Sequence, residues 1–288
     1  PTSSPCHCSS LSSPKSSSPL VHLQSVYLAE LCHGPTFSFK DYALSFLGNL
    51  IEWYLQRRQK SVTVLGATSG DTGSAAIAGF QNRESVKVII LFPKESVSET
   101  QRKQMTTVTA SNVQVVEVEG SFDDCQTIVK KAFGDSDIRR SLRPLAVNSI
   151  NFARIIAQIA YYFFIYLQLT SPVEGRERKK LLVVVPTGNF GNALAAFYAL
   201  RMGLPLRIQC ATNANDILHR FFTTGKYAVK PLKKTSSPAM DIVYSSNFER
   251  FLFHISGGDS ASVREWYTRL AADGEFQVPE GILRRARE

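Results

Sequence analysis

Residues 181–192, LLVVVPTGNFGN, constrain the fold more than any other stretch. The apolar run reads as a buried strand. A glycine-bearing loop follows, and 193–200, ALAAFYAL, has the composition of a helix. Strand, loop and helix in this order aim backbone N–H groups and a helix N-terminus at one point, which suits a phosphate. Taken alone, the stretch fits a plain strand-to-helix turn equally well.

The same grammar recurs upstream. Residues 62–65 read as a strand, 66–73 (GATSGDTG) as a loop, and 74–80 as the opening of a helix. Further strands are expected at 86–92, 113–118 and 206–212, and one or two at 21–31. Helices are expected at 39–59, 98–107 capped by Ser98, 121–133 capped by Ser121, 152–169, 216–223, from a cap at Ser246 or Asn247 through 254, and near 263–272. Residues 226–240 read as irregular and basic, and the polar tail shows no closing strand. Repeated βα units with short apolar strands imply an α/β fold with parallel sheets covered on both faces.

The chain has 288 residues, 44% of them hydrophobic, enough for one large core or two ordinary ones. Net charge is +9 and mostly scattered. A basic surface suits small anionic substrates. No basic patch is interleaved with aromatics, so nucleic acid is not an expected partner. The most apolar segment, 152–169, carries Arg154, Gln158 and Gln168. It reads as a core helix, so no membrane partner is expected. Five widely spaced cysteines imply no disulfide framework. Cys6, His7 and Cys8 sit in a Ser/Pro-rich stretch with no fourth ligand, so no metal is expected. Residues 1–20 hold too few large apolar side chains to offset their ordering entropy and are expected to be disordered. The default setting is cytoplasmic, with mitochondrial or secreted placement left open.

Neither glycine loop is a Walker loop, and neither has the dinucleotide-binding spacing. Each still offers an anion cradle, so two anions are expected. The first loop also carries Asp71, which fits a helix cap as well. Lys40 opens a helix in FSFKD (37–41), with rings beside it. Burial and a helix N-terminus both disfavour the ammonium, and the neutral amine is the form that attacks a carbonyl. The alternative for any single lysine is a solvated surface position. His33, His219 and His254 are scattered and show no metal-ligand spacing.

Six motifs in order turn these fragments into one pattern: HGPTFSFKD (33–41), TSGDTG (68–73), NSIN (148–151), PTGNFGN (186–192), SPAMDI (237–242) and SSNFER (245–250). Over about residues 22–258 the chain resembles the threonine synthase family, enzymes that use pyridoxal 5'-phosphate. The resemblance implies fold type II, related to the tryptophan synthase β subunit. It implies a tail (1–20), a lysine-bearing segment of the large domain (21–60), a smaller α/β domain (61–145) and the rest of the large domain (146–288).

It also implies roles. Lys40 would hold the cofactor and act as proton-transfer base. Gly188, Asn189, Phe190, Gly191 and Asn192 would cradle the cofactor phosphate, with Asp71 near its ring hydroxyl. Thr68, Ser69 and Thr72 would take the substrate carboxylate, and Asn151 and Arg154 the substrate phosphate. The expected partner is a small phosphorylated amino acid, and a homodimer is allowed. The implied reaction is phosphate loss from O-phosphohomoserine, giving threonine or 2-oxobutyrate and ammonia. The family pattern extends beyond the chain at both ends, so truncation is expected. The alternative is a catalytically impaired relative acting as a binding or signalling factor, or a different enzyme of the same fold.

Overall fold

The computed structural model describes residues 19–94, 97–170 and 179–288. The readings on 1–18, the Cys6 to Cys8 cluster included, lie outside the described residues. A hairpin of β1 (Leu20–Leu23) and β2 (Val26–Ala29) leads into α1 (Lys40–Arg58). Then come β3 (Val62–Ala67), α2 (Asp71–Phe80), β4 (Val86–Pro93), α3 (Glu99–Thr106), β5 (Val113–Val118), α4 (Phe122–Gly134), α5 (Ser136–Leu142) and β6 (Pro144–Leu145). Their strands form a parallel sheet in the order β5-β4-β3-β6.

The long helix α6 (Phe152–Leu169) crosses to the second half. It is long and apolar enough to span a membrane. Arg154, Ile155, Gln158, Tyr161, Tyr162 and Tyr166 are nevertheless buried, and the helix packs on α1 and its later neighbours as core helices do. After it come β7 (Leu181–Pro186), α7 (Gly191–Arg201), β8 (Leu206–Ala211), α8 (Ile217–Thr224), β9 (Lys226–Ala228), α9 (Phe248–Ile255), α10 (Ser260–Asp273), β10 (Glu275–Gln277) and α11 (Glu280–Arg287). β7 and β8 pair in parallel, β9 and β10 antiparallel.

Local chemistry explains most of these boundaries. Ser98 and Ser121 each close a capping box, with Gln101 and Asp124 as the reciprocal partners. Asp135 caps α5, an element the reading from sequence does not contain. The polar tail is corrected too. β10 turns back on β9 and α11 buries Leu283, so the region from 226 onward is not irregular throughout. Three-residue strands carry too little alternation to register as a pattern.

Two main cores form. One joins Leu44, Leu47 and Leu55 of α1 to Ile77 and Phe80 of α2 and to Val64, Val88 and Ile90 of the four-stranded sheet. The lysine-bearing segment, expected with the large half, therefore shares its core with the smaller sheet. The second core is aromatic, with Phe190, Phe221, Tyr227, Phe248, Phe251, Trp266 and Phe276 in mutual contact. Each fully buried ring contributes roughly 1.5–3 kcal/mol through apolar burial.

Candidate active site

The cradle is built where β7 ends. Phe190 takes a left-handed backbone (φ 60°) and drives its ring into the second core, 5.1 Å from Phe248 and 5.3 Å from Phe251. Its side chain is thus an anchor, and what the loop offers the cleft is backbone. α7 starts at Gly191 with no side-chain cap, so its first N–H groups face the cleft without one. Asn192 is held from behind by the hydroxyls of Tyr161 and Tyr162, the latter at 2.7 Å from its Oδ1.

The SSNFER motif straps this loop down. Ser245 Oγ donates to the Gly188 carbonyl (2.5 Å), and Ser246 Oγ to Asn189 Oδ1 (3.1 Å). Asn247 Nδ2 donates to the carbonyls of Asn189 and Ser149, both at 3.1 Å. Arg250 holds Asn247 Oδ1 at 2.7 Å and the Ile150 carbonyl at 2.8 Å. Asn247 is fully buried, so these bonds exchange little with water. The strap joins the cradle to the 148–151 turn, a connection the motifs do not announce. Asp241 plays a comparable part behind the cleft, accepting from Asn213 (2.7 Å), Asn215 (3.1 Å) and Thr235 (2.6 Å).

Lys40 is the first residue of α1, and Asp71 the first of α2. Lys40 Nζ lies 3.0 Å from Asp71 Oδ2 and 5.3 Å from the Phe39 ring centroid. Burial pulls the Lys40 ammonium below its usual range. Asp71 opposes that pull and Arg154 adds to it. Burial would raise the Asp71 carboxyl, but the Lys40 charge and hydrogen bonds from Lys40 and Gln101 prevail and hold it below the usual carboxylate range. The turn before Lys40 is fixed by buried Asp41, which accepts from the Thr36 N–H (2.9 Å) and hydroxyl (2.6 Å).

Lys40, Thr72, Arg154 and the 188–192 loop line one cleft of about 580 Å³, counting space open to solvent, together with Ser149, Gln158 and Met240. Arg154 is 3% exposed. It donates to the Val147 carbonyl at 2.9 Å, while its Nε and the Oε1 of Gln158 have no partner among the described residues. Burial alone lowers its guanidinium to about 10, which leaves it cationic at neutral pH. Ser69 is exposed on the first loop. Thr68 is buried under that loop, its hydroxyl accepting from the N–H groups of Gly70 (3.0 Å) and Gly73 (2.9 Å). Asn151 caps α6 and donates to the Ala146 carbonyl at 3.0 Å. These two side chains shape the turns that lead into α2 and α6, the helices that carry Thr72 and Arg154.

This donor set fits a phosphorylated aldehyde. It has a desolvated amine for the aldehyde, an uncapped helix N-terminus for one phosphate and, for a second anion, a buried guanidinium whose Nε has no partner among the described residues.

Comparison with known proteins agrees. The profile of the family described as Pyridoxal-phosphate dependent enzyme matches residues 11–277. Threonine synthase from Saccharomyces cerevisiae is 46% identical over 282 residues, covering 91% of this chain and 54% of that protein. Mouse threonine synthase-like 2 is 37% identical, covering 93% and 57%. The structure superposes on PLP-bound threonine synthase from Brucella melitensis with TM-score 0.88 and 44% identity, over 94% of this chain and 57% of that one. Maize serine racemase, at 15% identity and TM-score 0.60, shares the fold alone. The chain spans about half the length of the curated relatives it matches. Its profile, its sequence and its fold agree: the chain belongs to the pyridoxal-phosphate dependent enzymes, on the threonine synthase branch.

Proposed function

We propose that the protein is a PLP-dependent lyase that removes phosphate from O-phosphohomoserine or a similar phosphorylated hydroxy-amino acid. Addition of water then gives threonine, or 2-oxobutyrate and ammonia. Arg154 carries this reading. A buried guanidinium with no carboxylate partner among the described residues, in the same cleft as Lys40, calls for an anion besides the one at the 188–192 loop. A phosphorylated substrate supplies it.

Each residue has a task. The N–H groups of Gly191 and Asn192 hold the cofactor phosphate, and the N-terminus of α2 around Thr72 takes the substrate carboxylate. Arg154 grips the leaving phosphate and steadies its growing charge. When bound, the cofactor withdraws electrons from the carbon bearing the amino group. Lys40 holds the cofactor and moves protons at the substrate carbons through Nζ, and its lowered pKa suits it to both giving and taking. Ordering substrate between two anion sites supplies much of the rate effect.

The test is an absorbance scan of the protein with added PLP. A band near the visible edge, lost in Lys40→Ala, supports the site; no band in the unmutated protein ends this reading. Phosphate release from O-phosphohomoserine against O-phosphothreonine then fixes the substrate.

A further inference from the structure

α3 is a short, polar helix whose only buried residue is Met105. Yet it reaches both sides of Lys40. Gln101 Nε2 donates to Asp71 Oδ1 at 2.5 Å, and Gln104 Nε2 to the Thr36 carbonyl at 3.3 Å. Asp71 thereby has one oxygen on Gln101 and the other on Lys40. Gly70 makes this approach feasible. Its φ of 143° suits glycine, and a Cβ there would sit 2.4 Å from the Gln101 amide. Gln101 also closes the capping box with Ser98, which fixes its own side chain.

We propose that Gln101 is a positioning residue: it pins the Asp71 carboxylate in the one orientation that faces Lys40, and Gly70 is glycine so that it can. The proposal rests on Lys40 being the reactive amine. Without the amide, nothing on the α3 side holds Asp71. The carboxylate turns toward solvent, and burial acts on Lys40 with less opposition. The charged groups facing Lys40 are Asp41 from its own helix, Asp71 from α2 and Arg154 from α6. Of these only Asp71 touches Gln101.

The experiment titrates Lys40 in the cofactor-free protein, by NMR of reductively ¹³C-methylated lysines, with its signal assigned by absence from Lys40→Met. In Gln101→Met the midpoint should move to lower pH. Asp71→Asn should move it the same way, and Gln101→Met should add no shift in that background. Ser98→Ala loses the hydroxyl of the cap but keeps the Gln101 amide and the backbone N–H of residue 98 that holds its Oε1 at 3.3 Å, so it should lower the melting temperature and leave the midpoint in place. An unmoved midpoint in folded Gln101→Met overturns the proposal. So does a shift that persists in Asp71→Asn, or one reproduced by Ser98→Ala. Because no cofactor is present, this coupling is read independently of the PLP scan, and either can fail without the other.

Discussion

Gly48 of α1 and Gly79 of α2 meet backbone to backbone: a Cβ on Gly48 would lie 2.0 Å from the Gly79 carbonyl oxygen, and one on Gly79 would lie 2.6 Å from the Leu44 carbonyl oxygen. The contact lies eight residues beyond Lys40 on one helix and eight beyond Asp71 on the other. Close packing here sets the distance between the two charged residues at the helix starts. Gly79→Ala would gain up to about 1 kcal/mol of helix propensity on an exposed helix. Here overpacking should prevail and destabilise by about 1–3 kcal/mol. Urea denaturation measures the sign, and a weaker PLP band should accompany the loss.

Arg154 should show the opposite balance. Replacing an unpaired buried charge with an apolar chain of similar length is neutral or stabilising. Arg154→Met should therefore keep or raise the urea midpoint of the ligand-free protein. The rise in melting temperature that inorganic phosphate gives the unmutated protein should shrink. A strongly destabilised Arg154→Met would show that the guanidinium serves the fold.

Asn247→Ala removes the donor to the Ser149 carbonyl and the side-chain donor to the Asn189 carbonyl, which keeps the backbone N–H of residue 247, and leaves Arg250 without its Oδ1 partner. Burial makes this costly, about 1–3 kcal/mol of stability. The cradle loop should also loosen. PLP affinity, read by fluorescence titration, should fall about tenfold, equivalent to ~1.4 kcal/mol.

The pH response follows from Lys40. Its folded pKa lies below the ordinary 10.5, so the folded chain binds that proton less readily than the unfolded one. Lys40 subtracts stability below its folded pKa, and the penalty lifts as pH rises from there to 10.5. PLP uptake by the folded protein, which needs the neutral amine, should climb as pH rises through the folded pKa and level off above it. Asp71 works in reverse. Its lowered carboxyl adds stability above the ordinary 3.8, and that contribution is lost as pH falls through the folded value. Stopped-flow uptake across pH, in the unmutated protein and Asp71→Asn, checks both. In Asp71→Asn the climb should begin at lower pH.

What was legible in the sequence was local. Ser98 and Ser121 announce their helices because a cap and its partner lie three residues apart. The alternation of strand, loop and helix announces the parallel sheets. Lys40, Thr72, Arg154 and the 188–192 loop do line one cleft. The family resemblance assigns Thr68 and Asn151 to the substrate's anionic groups, and in the structure their side-chain hydrogen bonds run to the backbone around them. Asn247 shows in the sequence only as a candidate cap within SSNFER, and Gln101 and the Tyr161–Tyr162 pair not at all, because their partners lie 30 to 98 residues away. β9 and β10 went unread for a related reason, since a short strand is defined by its partner.

The strap has a consequence for the order of events in folding. Asn247 reaches Asn189 across 58 residues and Ser149 across 98. Contacts of such long range carry a large loop-closure entropy and form late. A chain released up to β8 has the glycine loop, α7 and the Tyr161 and Tyr162 hydroxyls behind Asn192, but not the strap at 245–250. The grip on phosphate therefore needs the chain through Arg250. Cofactor acts as a thermodynamic clamp on the folded state, adding stability that grows with the logarithm of its concentration, and it offers little help to the growing polypeptide.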